Sequence, residues 1–288
     1  MIHPSELIVN PDGSIYHLKL QPEQIGHKII VAGDPGRIQS ISAHFDSIEH
    51  IVENREFVTH TGTYKGEKVS AIATGIGTDN IDIVLNELDA LVNIDLEKRE
   101  INAKHTSLEI VRIGTCGSIQ EDVPADEIVV STHAFGLDGL LNFYAFEMSA
   151  EESEIHGQII EQTQWDKQLN VPYLVSGSKD LISRIGANYT RGITVTAPGF
   201  YAPQGRELRL RPRVPNINKK LRNFQFKDHR IVNYEMETSA LYGLSNLLGH
   251  HACTLCAVVA NRYANSFSKD YKPVIDRLIK VVLERLVK

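Results

Sequence analysis

The chain has few of the features that mark secreted or membrane proteins. Its 288 residues include only three cysteines, Cys116, Cys253 and Cys256, which are too few, and odd in number, for a disulfide framework. The first residues, Met-Ile-His-Pro-Ser-Glu, are polar and lack the apolar centre of a signal peptide. No apolar run is long enough to span a bilayer. These absences predict a cytoplasmic protein that does not bind a membrane.

Metal ligands at a recognisable spacing are also scarce. Cys253 and Cys256 form a C-x-x-C pair shortly after His250 and His251, a spacing that some zinc sites use. Residues three apart on a strand point to opposite faces, however, and no second ligand pair follows. The sequence therefore argues against a zinc site.

An excess of charge of either sign is missing as well. Lysines and arginines number 30 against 36 acidic residues, for a formal net charge of −6, which gives no reason to expect a nucleic-acid partner. Arg209, Arg211 and Arg213 alternate along one segment but lack interleaved aromatic residues. An exposed edge or a subunit contact is favoured over a nucleic-acid strip.

The sequence does contain short apolar runs that alternate with amphipathic segments, which predict buried strands and helices respectively. The predicted strands are residues 29–32, 69–77, 108–113, 126–132, 172–177, 192–197 and 255–260. A hairpin is predicted over 53–69, with its turn at Lys65-Gly66. Residues 231–240 are predicted to run from a strand into a helix that reaches Leu248. The other predicted helices are 37–45, 78–91, 151–168 and 272–287. With no linker or repeat, this order predicts a single α/β domain over residues 1–288, with a mixed central β-sheet flanked by helices.

Arg112 is the most unusual residue of these runs, because it lies inside the apolar strand that starts at Leu108. A guanidinium keeps its charge and needs an anion when it is buried. That anion is either an internal carboxylate or a bound phosphate or carboxylate at the end of the strand. The segment 114–117, Gly-Thr-Cys-Gly, is predicted to be a loop with outward-facing amides.

Two more strand ends carry polar residues. The turn 33–36, Gly-Asp-Pro-Gly, precedes Arg37 and is either an anion site at a helix N-terminus or a plain turn. Glu235 and Glu237 begin a helix, where they either favour its dipole or hold sugar hydroxyls. A proline- and glycine-rich loop over 198–213 carries aromatic and polar side chains, as functional loops often do.

Six short pieces, taken in order, resemble the nucleoside phosphorylase family, of the type that includes bacterial uridine phosphorylase. They are Gly33-Asp34-Pro35 with Arg37, Arg55-Glu56-Phe57, Thr74-Gly75-Ile76-Gly77, Arg112-Ile113-Gly114-Thr115, Phe200-Tyr201 with Gln204 and Arg206, and Tyr234-Glu235-Met236-Glu237. The resemblance implies phosphate binding by Gly33, Arg37, Arg112, Thr115 and, from a neighbouring subunit, Arg55. It implies ribose binding by His17 from across a dimer interface and by Thr115, Glu235, Met236 and Glu237, and base binding by Phe200, Gln204 and Arg206. Arg112, Thr115, Arg206 and Glu237 would carry the catalysis.

The resemblance also implies the reaction and the assembly. Uridine and phosphate would give uracil and ribose 1-phosphate reversibly, with phosphate as co-substrate and no cofactor. The active unit would be a dimer, with residues 1–24 as an arm near its interface, or a hexamer built from dimers. A monovalent cation between subunits would use Glu56, Ile76 and Asn80, although Thr78-Asp79-Asn80 departs from the family's usual turn.

Three alternatives stay open at this point. Purine nucleoside phosphorylases of this fold place an aspartate after the last buried strand, where this chain reads Ala260-Asn261-Arg262. A nucleosidase would have little use for three arginines at a phosphate site. A non-catalytic nucleoside sensor would not need every catalytic position to be occupied. The sequence favours pyrimidine phosphorolysis.

Overall fold

A mixed sheet of twelve strands runs through the computed structural model, which describes all 288 residues. The strands are β1 (Lys28–Ala32), β2 (Ser47–Asn54), β3 (Phe57–Tyr64), β4 (Glu67–Ala73), β5 (Ile94–Asp95), β6 (Glu100–Ile101), β7 (Glu109–Ser118), β8 (Ile128–Gly136), β9 (Tyr173–Ser176), β10 (Thr190–Thr196), β11 (Gln225–Phe226), β12 (His229–Glu235), β13 (His251–Asn261) and β14 (Ser266–Phe267), of which β5 and β6 form a separate pair. The helices are α1 (Pro35–Ser42), α2 (Thr78–Asn93), α3 (Ala150–Thr163), α4 (Lys179–Ile185), α5 (Ile217–Arg222), α6 (Thr238–Leu248) and α7 (Lys272–Leu286).

The sheet closes on itself over part of its width. Its order is β11-β12-β10-β8-β13-β7-β1-β4-β3-β2, and β12 also pairs with β7. That extra pairing is antiparallel and joins only the carboxyl ends, Gly117 with Tyr234 and Ser118 with Asn233. The end of β7 therefore meets the residues that lead from β12 into α6.

Helices cover both faces of the sheet, and β1 shows how the sequence specifies this. Ile29 and Val31 pack into a core with α2 and α6, whereas Ile30 and Ala32 pack into a second core with α1, α4 and α7. Alternate residues of a strand point to opposite faces, so a strand covered on both sides must be apolar throughout. The predicted α/β fold with a mixed central sheet flanked by helices is confirmed.

The predicted loop at residues 114–117 is wrong, because β7 continues through Ser118. Thr115 pairs with Ala257, and Gly117 pairs with both Ala260 and Tyr234. The small residues make room for neighbours rather than form a turn. A Cβ atom on Gly114 would lie 2.3 Å from Nη1 of Arg112.

Other boundaries differ for local reasons. The helix predicted over 151–168 ends at Thr163, since Gln164 takes a left-handed conformation with φ of 48°. Helices α4 and α5 are short and were not predicted. None of the seven helices combines the length and the apolar character that crossing a membrane requires.

Candidate active site

A cavity of about 490 Å³ opens where the carboxyl ends of β1, β7 and β12 come together. Eleven of the residues predicted for the site line it: Gly33, Arg37, Ile76, Arg112, Thr115, Phe200, Gln204, Arg206, Glu235, Met236 and Glu237. The segments that carry them are distant in sequence, from Gly33 to Glu237, as expected for an α/β site built from several strand ends. The sheet topology brings together the predicted phosphate, ribose and base positions.

Arg112 is held by two carboxylates at the floor of this cavity. Its side chain is buried, Nη1 lies 3.2 Å from Glu235, and Nη2 donates to Glu237. Burial alone would lower the pKa of Arg112, but the two carboxylates outweigh that effect and raise it, so the guanidinium stays charged. The internal partner left open by the sequence therefore exists, while Nε of Arg112 has no hydrogen-bond partner.

Glu237 accepts fewer hydrogen bonds from the protein than Glu235 does. One oxygen of Glu237 accepts a hydrogen bond of 2.9 Å from the N–H of Gly77, whose positive φ of 103° turns the amide toward it. Burial raises the pKa of Glu237 above its ordinary value, because the opposing attraction of Arg112 is incomplete and Glu235 adds a like charge. Glu237 is thus a carboxylate that other donors in the cavity can reach.

Glu235 is anchored by a buried chain of hydrogen bonds. Its Oε1 accepts from the hydroxyl of Thr196 at 2.6 Å, and its Oε2 accepts from two backbone N–H groups at the start of α6. Thr196 also accepts from the N–H of Ser239 at 3.0 Å, and the hydroxyl of Ser239 donates to Asp138 at 2.8 Å. Tyr173 donates to the same carboxylate at 2.7 Å. This network holds Glu235, and through it Arg112, in place.

Arg37 is a second cation in the cavity and, unlike Arg112, it is not paired with a carboxylate. The helix α1 that carries it is capped by Asp34, which accepts from the N–H of Gly36 at 2.9 Å. One Nη1 bond of 3.0 Å goes to the carbonyl of Ile113, and Arg37 forms no ion pair. Burial and the nearby charge of Arg112 lower the pKa of Arg37. An anion bound beside Thr115 would relieve that unbalanced charge.

The opposite wall has an aromatic ring and an amide. The guanidinium carbon of Arg206 lies 3.7 Å from the ring centre of Phe200, and its Nη1 donates to Oε1 of Gln204. Burial and the charge of Arg262 lower the pKa of Arg206. The stacked ring and the paired amide fix the guanidinium in a plane, which suits recognition of a flat heterocycle.

Two residues that support this wall were missed from the sequence. Arg262 donates to the carbonyl of Gln204 and lies 5.7 Å from the ring centre of Tyr234. Asn218 of α5, with its amide oriented to satisfy its neighbours, accepts from Arg262 at 3.0 Å and donates to the hydroxyl of Tyr234 at 3.1 Å. Arg262 follows a buried strand, as polar site residues commonly do, so the signal was present. No signal indicated Asn218.

Comparison with known proteins identifies the family. The sequence profile of the phosphorylase superfamily matches residues 27–287. The chain belongs to the phosphorylase superfamily. This confirms the resemblance to nucleoside phosphorylases and the prediction that the chain is an enzyme, a pentosyltransferase by class.

The relatives of this phosphorylase carry two kinds of name. A uridine phosphorylase of Thermococcus kodakarensis is 30% identical over 90% of this chain and 81% of its own length. A nucleoside phosphorylase of Trypanosoma brucei, described as showing uridine phosphorylase activity, has a structure with a TM-score of 0.89 and 33% identity, covering 98% of this chain and 99% of its own. A DeoD-type purine nucleoside phosphorylase of Brevibacillus brevis is 27% identical over 84% of this chain and 85% of its own length.

His17 and Arg55 lie outside the cavity of the phosphorylase but close to one another. Nδ1 of His17 is 2.7 Å from Glu87, and Arg55 lies 5.6 Å from the ring centre of Tyr16, the residue before His17. The two residues that the resemblance assigned to a neighbouring subunit therefore share one surface. The arm over residues 1–24 packs on its own chain through the buried Leu18 and Leu20.

The three predicted cation ligands also come together. Gly75 has φ of +71°, and a Cβ there would lie 2.3 Å from Nδ2 of Asn80 and 3.4 Å from Cγ of Glu56. Ile76 lines the cavity, and its carbonyl accepts from Nδ2 of Asn80 at 3.5 Å. Carbonyl, amide and carboxylate oxygens suit a hard cation, but here the amide nitrogen of Asn80 donates to the carbonyl of Ile76, so the amide must turn over before its oxygen can be a ligand.

One other cluster has metal-ligand chemistry, formed by Asp89, His105 and His250, whose ligand atoms lie within 4.8 Å of one another. Nδ1 of His250 accepts from the N–H of Leu108 at 3.2 Å. That bond leaves the proton of a neutral imidazole on Nε2, the atom that faces Asp89. The cluster therefore fits a histidine–carboxylate pair better than a metal site.

Proposed function

We propose that this phosphorylase cleaves pyrimidine nucleosides, converting uridine and phosphate reversibly to uracil and ribose 1-phosphate. The observation that carries the proposal is the arrangement of one cavity, which has Arg37 and Arg112 on one wall and Gln204 and Arg206 on the other. The names of the Thermococcus and Trypanosoma relatives support the same reaction.

The proposed reaction uses the charge of each wall. Arg37, Arg112, the hydroxyl of Thr115 and the backbone at Gly33 hold phosphate, while Met236 and Glu237 hold the ribose between the two walls. As the C1′–N bond breaks, its electron pair goes to the base, and an oxygen of hydrogen phosphate forms the new bond to C1′. The base anion takes up one proton and the phosphate loses one, which gives uracil and ribose 1-phosphate. The sugar passes through an oxocarbenium-like state, which the neighbouring phosphate anion stabilises.

Base recognition follows from the second wall. Gln204 can donate and accept at once, which matches a uracil carbonyl beside an N–H. Arg206 stabilises the negative charge that develops on the leaving base, and Phe200 packs on its ring. Arg206 is therefore assigned a catalytic as well as a binding role.

A purine substrate is disfavoured by the segment after the last buried strand, where purine nucleoside phosphorylases of this fold have an aspartate and this chain has Asn261 between Ala260 and Arg262. Nδ2 of Asn261 donates to the carbonyls of Gln120 and Val123, and its Oδ1 accepts from Tyr263 and Ala264. An amide with every hydrogen-bonding group occupied cannot protonate a purine ring.

The deciding experiment is an assay for free base with uridine, deoxyuridine, thymidine and inosine, each with and without phosphate. We expect phosphate-dependent release of uracil, with uridine ahead of inosine. Faster turnover of inosine would overturn the base assignment, and base release without phosphate would make the protein a nucleosidase. Binding of uridine with no turnover in any condition would make it a sensor.

We further propose that His17 and Arg55 complete the cavity of a second copy, His17 at the ribose and Arg55 at the phosphate, in a dimer or a hexamer of dimers. A monovalent cation held by Glu56, Ile76 and Asn80 would lie near that contact. Raising K⁺ at constant ionic strength should increase the melting temperature of the wild type but not of Glu56→Ala. Equal shifts in both proteins would remove Glu56 from the cation site.

A further inference from the structure

A second polar cavity, of about 430 Å³, lies beside the amino-terminal ends of β10 and β12, whereas the candidate active site follows their carboxyl ends. Its lining includes Thr132, His133, Lys179, Arg191, Asp228 and His229. Ile182 is the only large apolar residue that lines it. None of these residues has a role in the proposed phosphorolysis.

Two aligned β-bulges shape this cavity. Along β8 the register passes from Ser131 to His133, which leaves Thr132 without a partner on β10. Along β12 it passes from Ile231 to Asn233, so that Val232 is the extra residue on the other side of β10. Bulges redirect side chains and are common beside functional sites. Irregularities on both sides of one strand therefore open the sheet here.

His133 presents an unused acceptor to the cavity. It is only 8% exposed, and its Nδ1 lies 3.2 Å from the hydroxyl of Thr132, which itself donates to the carbonyl of Gly192. The hydroxyl of Thr132 has a single proton; when it donates to Gly192, the proton of the neutral ring is on Nδ1, and Nε2 carries a lone pair without a partner in the chain. Burial and the neighbouring His229 lower the pKa of His133 to about 4, so the ring is neutral at pH 7.

The cavity also has a guanidinium with no counter-ion. Lys179 pairs loosely with Glu151 at 3.7 Å, and the nearby Arg230 pairs with Asp122 at 2.8 Å, but Arg191 forms no ion pair. The adjacent carboxylate of Glu152 is occupied by the N–H and hydroxyl of Ser176, each at 2.7 Å. Asp228 is the one carboxylate that lines the cavity, and it forms no ion pair with Arg191 or Lys179, so both cations are available to an anion.

We propose that this cavity binds a sugar phosphate. The phosphate contacts Arg191 and Lys179, and a sugar hydroxyl donates to Nε2 of His133. The cavity has cations, Arg191 and Lys179, at one place and a neutral acceptor, His133, at another, which matches a ligand that has both an anionic group and hydroxyl groups. The volume suits a small organic ligand, since such sites start at about 300 Å³. The assignment is independent of the reaction in the other cavity.

The test is calorimetric titration of the intact enzyme with ribose 5-phosphate, and separately with inorganic phosphate. Arg191→Gln should weaken the binding of ribose 5-phosphate about tenfold or more, as expected when a charged hydrogen bond is lost. Lys227→Gln is the matched control, because Lys227 is exposed, pairs with Glu154 and lies outside the cavity. Both variants should keep the kcat and KM of phosphorolysis.

Each outcome bears on the proposal. Loss of affinity in Arg191→Gln but not in Lys227→Gln supports it, and a similar loss in His133→Gln would support the hydroxyl contact. Unchanged affinity in Arg191→Gln, or no binding by the wild type, would overturn it. Because inorganic phosphate can also bind in the active-site cavity, only its Arg191-dependent binding is compared. Arg191-dependent binding of inorganic phosphate as tight as that of the ester would also overturn the proposal, because the sugar would then contribute nothing. Absent phosphorolysis with intact Arg191-dependent binding would reject only the proposed reaction.

Discussion

Arg37 and Arg112 line the same wall of the active-site cavity but have different electrostatic surroundings. Arg112 is paired with Glu235 and Glu237, whereas Arg37 has only a carbonyl partner. A guanidinium already neutralised by carboxylates gains less from a further anion than an unpaired one does. We therefore expect Arg37 to supply the larger part of the attraction for the proposed phosphate, and Arg112 to hold the geometry that links it to the proposed ribose site.

Replacing Arg206 with alanine should lower kcat/KM for uridine by about 100-fold, since one positioned donor to a developing negative charge contributes roughly that much. The KM for phosphate should stay the same, because Arg206 lies on the opposite wall. Steady-state kinetics with each substrate varied in turn would measure both effects. Arg209→Ala, an exposed change in the same loop, is the control, and equal kcat/KM in the two variants would remove Arg206 from the site.

The pH profile of kcat/KM should reveal Glu237. Protonation would turn one oxygen of Glu237 into a donor, remove its ion pair with Arg112 and weaken its hydrogen bonds from ribose hydroxyls, so activity should fall as pH decreases through its pKa. Burial raises that pKa, which places the acid limb above the value of about 4.3 for an ordinary glutamate. The profile is measured at saturating phosphate, with circular dichroism at each pH to confirm folding. Constant activity down to the pH of unfolding would contradict the assignment.

At the scale of elements, Thr196 connects β10 to the start of α6 through Glu235 and Ser239. Thr196→Val keeps the shape of the side chain but leaves a buried carboxylate oxygen and a buried N–H without their partner. We expect a loss of about 1–3 kcal/mol of unfolding free energy. Urea denaturation would measure it.

The same substitution should raise the KM for phosphate, because Glu235 also orients Arg112. A purely structural role would lower stability without changing that KM at temperatures where the protein is folded. Thr190→Val, at the start of the same strand and not buried, is the matched control. An unchanged KM in Thr196→Val would confine the network to stability.

Local patterns predicted much of this architecture. The apolar runs identified β1 and β13, and the turn at Lys65-Gly66 connects β3 and β4 as expected. Local patterns could not predict features that depend on pairing between distant strands. For example, β7 extends to Ser118 because it pairs there with β13 and β12. The bulge at Thr132 likewise depends on strands distant in sequence.

The same limit applies to the site. Arg112 was conspicuous because a charge inside an apolar run is rare, and its residue type alone indicated an anionic partner. Which anion it contacts depends on Glu235 and Glu237, which reach it only through the closure of the sheet. Asn218 is an ordinary polar residue of a short helix, so only the contacts with Arg262 and Tyr234 reveal its role.

At the scale of the whole molecule, the surface that carries His17 and Arg55 is separate from the cavity. Arg55 occupies the turn between β2 and β3 with a positive φ of 53°, and β2 is the edge strand with Ile48 and Ile51 exposed. Exposed apolar side chains on an edge strand are suited to a contact with another chain. Such a contact would carry Arg55 toward the cavity of the second copy.

A complementation experiment tests this shared site. Arg55→Ala and Arg206→Ala should each have low activity as homodimers, because each copy's cavity lacks one required arginine. If Arg55 serves the partner's cavity, a mixed dimer has one site with both defects and one site with none. Random association makes half of the dimers mixed, so about one quarter of all sites should be intact.

Mixing the two variants through denaturation and refolding, or by co-expression with different affinity tags, should therefore restore about one quarter of the wild-type kcat per site. Each variant refolded alone gives the baseline. The matched control is a mixture of Arg206→Ala with Arg37→Ala, two variants whose substitutions lie on different walls of the cavity. If Arg37 serves its own chain's cavity, every site in that mixture keeps a defect and no activity returns. The absence of recovery in the Arg55→Ala mixture, with mixed dimers verified by mass, would place Arg55 outside the catalytic site.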